Sequence, residues 1–390
     1  MLTEARFKFA LESLRQCMLL EPKGNVFFSP HLLYQNLLVV YFGAQSDTDL
    51  ENDLKRALYI PADVSKAVVK QFYCIKGHKQ FCYRIEGILK TFSCRIFSRL
   101  LITCGKGIYL DTENLFTSGH RMKEMTIQTN PELVRNYINN TIKSVTQGNI
   151  QNVLAPTSID NGTDVVSFDA IYCKGIFVEK LEQLEISDSD VTDSEDENHE
   201  NSNDKSKTFQ TKLDVDVMEV LFAQDKISTY FLFPSRNSES NENNLTNNER
   251  LLQLMERLAT EEGSQELHKL LDEGVKPIGM MVPTFKIEQN LRIYELLDKL
   301  HLEDLTPLGF ALLHEFTDEE SLKLGDALHR VNLEVTMDGL TATACNMFFS
   351  ENNCHHAKIN TSTSVTFPFI CFIYDKSHRN VLFCGAMLES

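Results

Sequence analysis

HRVNLEVTMDGLTATACNMFF, residues 329–349, is the stretch whose reading decides the fold. Val331 to Val335 reads as the start of a strand. Asp338-Gly339 follows, and glycine there gives the backbone freedom to turn. From Leu340 to Ser350 there is no proline and no charge, so nothing blocks ladder pairing. In an extended chain successive side chains point to opposite faces. Leu340, Ala342, Ala344 and Asn346 therefore share one side, and Thr341, Thr343 and Cys345 the other. Small residues suit a tightly confined strand. Met347-Phe348-Phe349 argues against a plain exposed loop, because three large apolar side chains in water are unfavourable.

Outward from this run, strands and helices mix without strict alternation. Residues 365–374 and 380–387 are strongly apolar strands, as are 165–173, 215–221, 227–233 and 278–287. Val26-Phe27-Phe28 is a short buried strand, and Ser29-Pro30 starts an apolar helix over 31–42. Helices are also predicted over 1–20, 47–57 and 131–147, around Leu251, Leu254, Met255 and Leu258, and around Tyr294, Leu297 and Leu300. The mixture indicates an α+β domain rather than a doubly wound sheet.

The 390 residues carry a net charge of −17, from 38 basic and 55 acidic side chains. That balance argues against nucleic acid as a partner, which needs a basic footprint. No apolar run is long enough for a transmembrane helix, so no membrane role is expected. The segment after Met1 reads as an amphipathic helix and not as a signal peptide, which suits a cytoplasmic chain; an extracellular one requires an upstream signal. Ten cysteines show no CxxC pair, and free thiols are expected. Sequons occur at Asn139, Asn161, Asn244 and Asn360.

Two segments stand apart in composition. Residues 66–107 carry Lys66, Lys70, Lys76, Lys79, Arg84, Lys90, Arg95, Arg99 and Lys106 against the single acid Glu86. This reads either as a solvated face or as a patch for a polyanion such as a glycosaminoglycan. Residues 187–207 form a disordered acidic insertion by composition, with eight acids between 187 and 204. Enzymatic motifs are missing: there is no GxSxG elbow, phosphate loop, HExxH or GxGxxG. Cys354-His355-His356 places neighbouring side chains on opposite faces of an extended loop, so a third metal ligand is needed from elsewhere. Neither a metal nor a cofactor is expected.

Several motifs together resemble the serpins, the family of serine protease inhibitors. They are Asn25-Val-Phe-Phe-Ser-Pro30 with Gly43-Ala44 and Asp47-Thr48, Asn130-Pro131 through Thr146-Gln-Gly148-Asn-Ile150, and Ala170-Ile-Tyr-Cys-Lys-Gly175. Val282-Pro-Thr-Phe-Lys-Ile287, His329-Arg330 with Glu334-Val335 and Asp338-Gly339, and Pro368-Phe369 through Phe383-Cys-Gly385 complete them. The matches are collinear over nearly the whole chain. Departures are the lack of any tryptophan, with Thr141 where one is usual, Leu32 for a serine and Asp169 for an asparagine. Residues 66–107 find no counterpart.

The resemblance implies one domain over 1–390: a large central mixed sheet, smaller sheets, about nine helices and an exposed reactive loop over 339–364. It implies a monomer that is not an enzyme and traps a serine protease as a suicide substrate. After cleavage the loop inserts into the sheet as a strand. The implied hinge is Gly339, Leu340, Thr341, Ala342, Thr343 and Ala344; Ser29, His329 and Glu334 support the sheet where it opens. Hinge spacing puts the scissile bond near Asn353–Cys354. Side-chain chemistry puts it at Lys358–Ile359, because Lys358 is the sole basic residue between Gly339 and Pro368 and suits a trypsin-like pocket. The alternative is a non-inhibitory serpin that binds or carries, since Leu340 is large and Asn346 polar for an inserting strand.

Overall fold

The computed structural model describes residues 1–80, 82–84, 92–103, 120–177, 213, 215–222, 226–235, 245–275, 282–306, 311–315, 323–350 and 359–389. Among them are eight α-helices: α1 (Leu2–Leu20), α2 (Pro30–Gly43), α3 (Asp49–Ala57), α4 (Lys66–Gln80), α5 (Pro131–Val145), α6 (Asn247–Ala259), α7 (Glu261–Glu273) and α8 (Ile293–Lys299). The strands are β1 (Val26–Phe28), β2 (Cys82–Arg84), β3 (Phe92–Thr103), β4 (His120–Met125), β5 (Val165–Ile176), β6 (Val215–Leu221), β7 (Ile227–Pro234) and β8 (Phe285–Asn290). Then follow β9 (Ala311–Leu312), β10 (Lys323–Leu324), β11 (Asp326–Thr336), β12 (Gly339–Phe349), β13 (Asn360–Ser362), β14 (Phe369–Asp375) and β15 (Asn380–Met387).

An eight-stranded sheet runs in the order β13-β8-β11-β12-β5-β3-β2, with β4 parallel to β3 and every other pairing antiparallel. A five-stranded antiparallel sheet runs β1-β15-β14-β7-β6. The architecture is thus α+β with one large mixed sheet. A shared core cluster sits between the two sheets, joining Ile171, Cys173, Val331, Leu333, Ala342 and Ala344 to Phe231, Phe369, Cys371 and Phe383. The other face of the large sheet is covered by α5, whose Val134, Ile138 and Ile142 pack with Phe168, Cys345, Met347 and Phe349.

Local chemistry accounts for the helices that set this geometry. Ser29 caps α2, its Oγ accepting from Leu32 N at 3.3 Å, and Pro30 occupies the first turn. All fourteen residues of α2 are buried, so this helix needs no polar face. Asn130 caps α5 in the same way, accepting from Leu133 N at 3.2 Å.

Four expectations change. Of the strand expected over 278–287, residues 278–281 lie outside the described ones and 282–284 are not in the ladder: β8 begins at Phe285, whose partner is Val335, one residue from the end of β11, and Pro283 has no N–H to give. Helix α7 has no counterpart in the sequence reading. The basic segment supplies α4 and β3, and β3 is an interior strand of the large sheet. The fourth change is the largest: the exposed loop expected from Gly339 onward is, over 339–349, the buried strand β12. The acidic stretch 187–207 and Asn244 lie outside the described residues.

Candidate functional site: the seam of the large sheet

Strand β12 fills the seam between β11 and β5 along its whole length. On one side Gly339 pairs with Thr336 and Phe349 with Asp326; on the other Gly339 pairs with Ile176 and Phe349 with Val166. Leu340, Ala342 and Ala344 enter the core between the sheets, while Cys345, Met347 and Phe349 lie under α5. The predicted alternation therefore holds side chain by side chain. Gly339 earns its place by close approach rather than by turn freedom. A Cβ at that position would come within 2.1 Å of the Gly175 carbonyl oxygen.

Ser350 closes the strand. Its Oγ accepts from Asp164 N at 2.7 Å and from Val165 N at 2.9 Å, and its own N–H donates to Val165 O at 2.9 Å. The chain is next described at Ile359, whose carbonyl accepts from Asn290 N at 2.8 Å. From there Asn360–Ser362 add to the outer edge of β8. Asn353, Cys354, His355, His356 and Lys358 lie outside the described residues; Ile359 is half-buried.

Beneath the middle of the seam sits a polar row. Ser98, Asp169, Asn346 and His329 are successive register partners across β3, β5, β12 and β11. Ser29 N donates to His329 Nε2 at 3.1 Å, so that nitrogen carries no proton. The neutral ring then holds its proton on Nδ1 and donates it to Asn346 Oδ1 at 3.3 Å. Burial drives the His329 pKa down to about 4, against the opposing pull of the Asn346 bond. Asn36 Nδ2 reaches the Asn346 carbonyl at 3.4 Å, and Asn36 also hydrogen-bonds Ser167. Asn346 Nδ2 is buried and has no hydrogen-bond partner among the described residues. Ser29 Oγ donates to Leu382 O at 2.7 Å, tying this row to the small sheet.

Glu334 is exposed and stands in register between Lys286 of β8 and Thr341 of β12. Asn36, Ser167 and Ser350 were missed from sequence. Ser167 stands as a polar residue inside the apolar run Val165–Phe168, which was its available signal; Asn36 adjoins Gln35 and Ser350 adjoins Glu351, so neither stood out.

The profile of the family described as "Serpin (serine protease inhibitor)" matches residues 4–390. The chain belongs to the serpin family. "Serine protease inhibitor 88Ea" of Drosophila melanogaster is 24% identical, with 97% of this chain and 88% of that protein covered. "Leukocyte elastase inhibitor" of Equus caballus is 23% identical, with 98% of each covered. Among solved structures, "Cleaved Serpin 42Da" superposes with a TM-score of 0.69 at 16% identity, over 100% of this chain and 99% of that one. At that identity the likeness is one of fold. In this serpin, then, residues 339–349 occupy the sheet while the sequence around them is continuous.

Of the basic residues in 66–107, Lys66, Lys70, Arg95 and Arg99 have described side chains. Lys66 Nζ donates to Ala44 O at 2.7 Å and faces Glu51, Arg99 lies over the Phe97 ring, and Arg95 is exposed on β3. Asn139 of the first sequon is buried and bonded at both ends of its amide to Leu154, whereas Asn161 and Asn360 are exposed.

Proposed function

We propose that this serpin inhibits serine proteases as a suicide substrate, with Gly339–Ala344 as the hinge of an inserting loop. One observation supports this reading most: a strand of eleven residues fits between β11 and β5 with its small side chains in the core between the sheets. The chemistry assigned to the target is acyl transfer. The protease serine attacks the scissile carbonyl, the new amino terminus leaves, and the loop carbonyl remains as an acyl ester on the enzyme. Hinge residues then pair with β5 and β11 and carry the ester along the sheet, before water releases it. This chain contributes no catalytic residue.

A trypsin-like protease cutting at Lys358–Ile359 is the reading that side-chain chemistry favours; Asn353–Cys354 is the one favoured by hinge spacing. A non-inhibitory role competes because Asn346 buries an amide nitrogen without a partner among the described residues and Leu340 is bulky. Both features slow insertion, and a slow loop is hydrolysed as a substrate. The test is incubation with trypsin-like, chymotrypsin-like and elastase-like proteases, followed by denaturing gels and mass spectrometry. An SDS-stable complex and a fragment beginning at Ile359 are expected with the trypsin-like enzyme. Cleavage of the loop by every protease without any complex overturns inhibition, and a fragment beginning at Cys354 moves the bond.

A further inference from the structure

Two cysteines face each other across neighbouring strands of the large sheet. Cys94 of β3 and Cys173 of β5 are register partners, and the Cys173 thiol lies 3.1 Å from the Cys94 sulfur. Both side chains project into the core between the sheets, next to Phe177, Phe222 and Ala342. Directly opposed residues on antiparallel strands hold their Cα atoms roughly 4.5–5.5 Å apart, inside the span a disulfide bridges. Bond formation asks the sulfurs to close by about 1 Å, which χ1 adjustments supply without moving backbone.

We infer that Cys94 and Cys173 form a redox-responsive pair that closes to a cross-strand disulfide under mild oxidation. Cys173 is fully buried, and burial together with the Cys94 hydrogen bond raises its thiol pKa well above the ordinary value. Cys94 as a residue keeps slight exposure, at 5% against 0% for Cys173, and in the proposed reaction it is the first of the two to react. With oxidised glutathione, the Cys94 thiolate attacks one glutathione sulfur and expels the other as a thiolate. Cys173 then gives up its proton, attacks the Cys94 sulfur of the mixed disulfide and expels the second glutathione. Two protein thiols become one disulfide, and one oxidised glutathione becomes two reduced molecules. The other described cysteines, Cys17, Cys345, Cys371 and Cys384, are buried, and each has its thiol pKa raised by burial.

The position gives the bond a defined effect. In the same row, Cys173 is followed by Ala342 of β12 and Leu333 of β11. The disulfide ties β5 to β3, on the side of β5 away from β12. It leaves the seam between β5 and β11 unlinked and closes a chain loop that contains α5. Such a closed loop stabilises the native chain chiefly by restricting the unfolded one.

The full-length protein is to be exposed to oxidised glutathione, then alkylated and mapped as non-reduced peptides. The expected product is a cross-linked pair of peptides carrying Cys94 and Cys173, two mass units lighter than the separate thiols, with a thermal midpoint several degrees higher. In Cys173→Ala, Cys94 is expected to stay trapped as the glutathione mixed disulfide. In Cys94→Ala, Cys173 is expected to remain a free thiol. Recovery of Cys94 and Cys173 both alkylated after oxidation overturns the assignment, and so does a dominant cross-link from Cys94 to any other cysteine. Wild-type mapping decides the matter even if a variant fails to fold.

Discussion

The two ends of β12 are built differently. Near Gly339 the strand is narrow: Ala342 and Ala344 are fully buried, yet each contributes only a methyl group to the core. Near Phe349 it is wide, with Met347, Phe348 and Phe349 buried at 0%, 0% and 1% exposure. Leu340 apart, the first half therefore gains little free energy per residue and meets little steric resistance. The second half carries most of the apolar burial, roughly 1.5–3 kcal/mol for each large side chain. On the proposed mechanism the small residues ease entry past Leu340, and the far end holds the strand once it is in place. Between the halves lies the polar row of Asn346 and His329, where neither advantage applies.

The sharpest way to break this comparison is to put a charge in the permissive half. Ala344→Arg buries a guanidinium in the apolar core between the sheets. An unpaired buried charge costs several kcal/mol, far more than the methyl group contributes. The variant is expected to be cut in its loop without trapping any protease, and its cut form to gain no thermal stability over the uncut one. Unchanged complex formation on denaturing gels sinks the role given to this half. In the holding half, Phe348→Ala removes a fully buried ring that packs with the helix-side core around α2. A loss of about 3–5 kcal/mol is expected in the inserted form. Calorimetry of the cleaved protein reads it, and a shift as small as that of an exposed substitution refutes the assignment.

That asymmetry also explains what could be read in the sequence. The capacity of 340–349 to pair as a strand was legible, from a run without proline or charge that alternates small residues and ends in Met-Phe-Phe, although an exposed loop was expected there. The helix start at Ser29-Pro30 was legible because such starts are local chemistry. The interior strand β3 was not: Arg95 and Arg99 interrupt its apolar pattern, one exposed and one laid over the Phe97 ring, so the charge hid the strand. Gly339 was visible as a special position, but its reason, the Gly175 carbonyl 2.1 Å from where a Cβ would stand, belongs to a partner 164 residues away and has no local trace. The Asn346–His329 bond likewise needs register, which composition does not fix.

The polar row between the halves makes the inserted form sensitive to pH. In the folded protein the His329 pKa is lowered to about 4 by burial, against about 6.5 in an unfolded chain. A lowered folded value means that the unfolded state binds the proton first. The stability that His329 contributes is therefore complete above pH 6.5 and is lost as pH falls from there toward 4. The full loss is about 3 kcal/mol. The row also holds Asp169 on β5, and Asp326 stands three residues from His329 at the start of β11. Thermal midpoints at pH 7 and pH 5, compared with His329→Gln, isolate the histidine. A variant whose midpoint falls with pH as steeply as the wild type refutes its part.

The smallest effect concerns the first side chain of the strand. Leu340 lies between Gly175 and Val335, is 3% exposed, and is the largest residue in the permissive half. Its burial in the finished sheet is favourable, but it has to pass the seam before any large residue behind it contributes. Bulk at the leading position therefore raises the barrier while lowering the end state. Leu340→Thr separates the two. Losing part of the buried side chain lowers the stability of the inserted form by about 1–2 kcal/mol, so the midpoint of the cleaved protein drops slightly. The barrier falls as well, so a larger fraction of protease encounters ends in complex and fewer inhibitor molecules are consumed per enzyme. Titration of a trypsin-like protease measures that ratio. If the ratio rises in parallel with the loss of stability, the end state rather than the passage governs the leading position, and the division of β12 into a permissive and a holding half does not extend to its first residue.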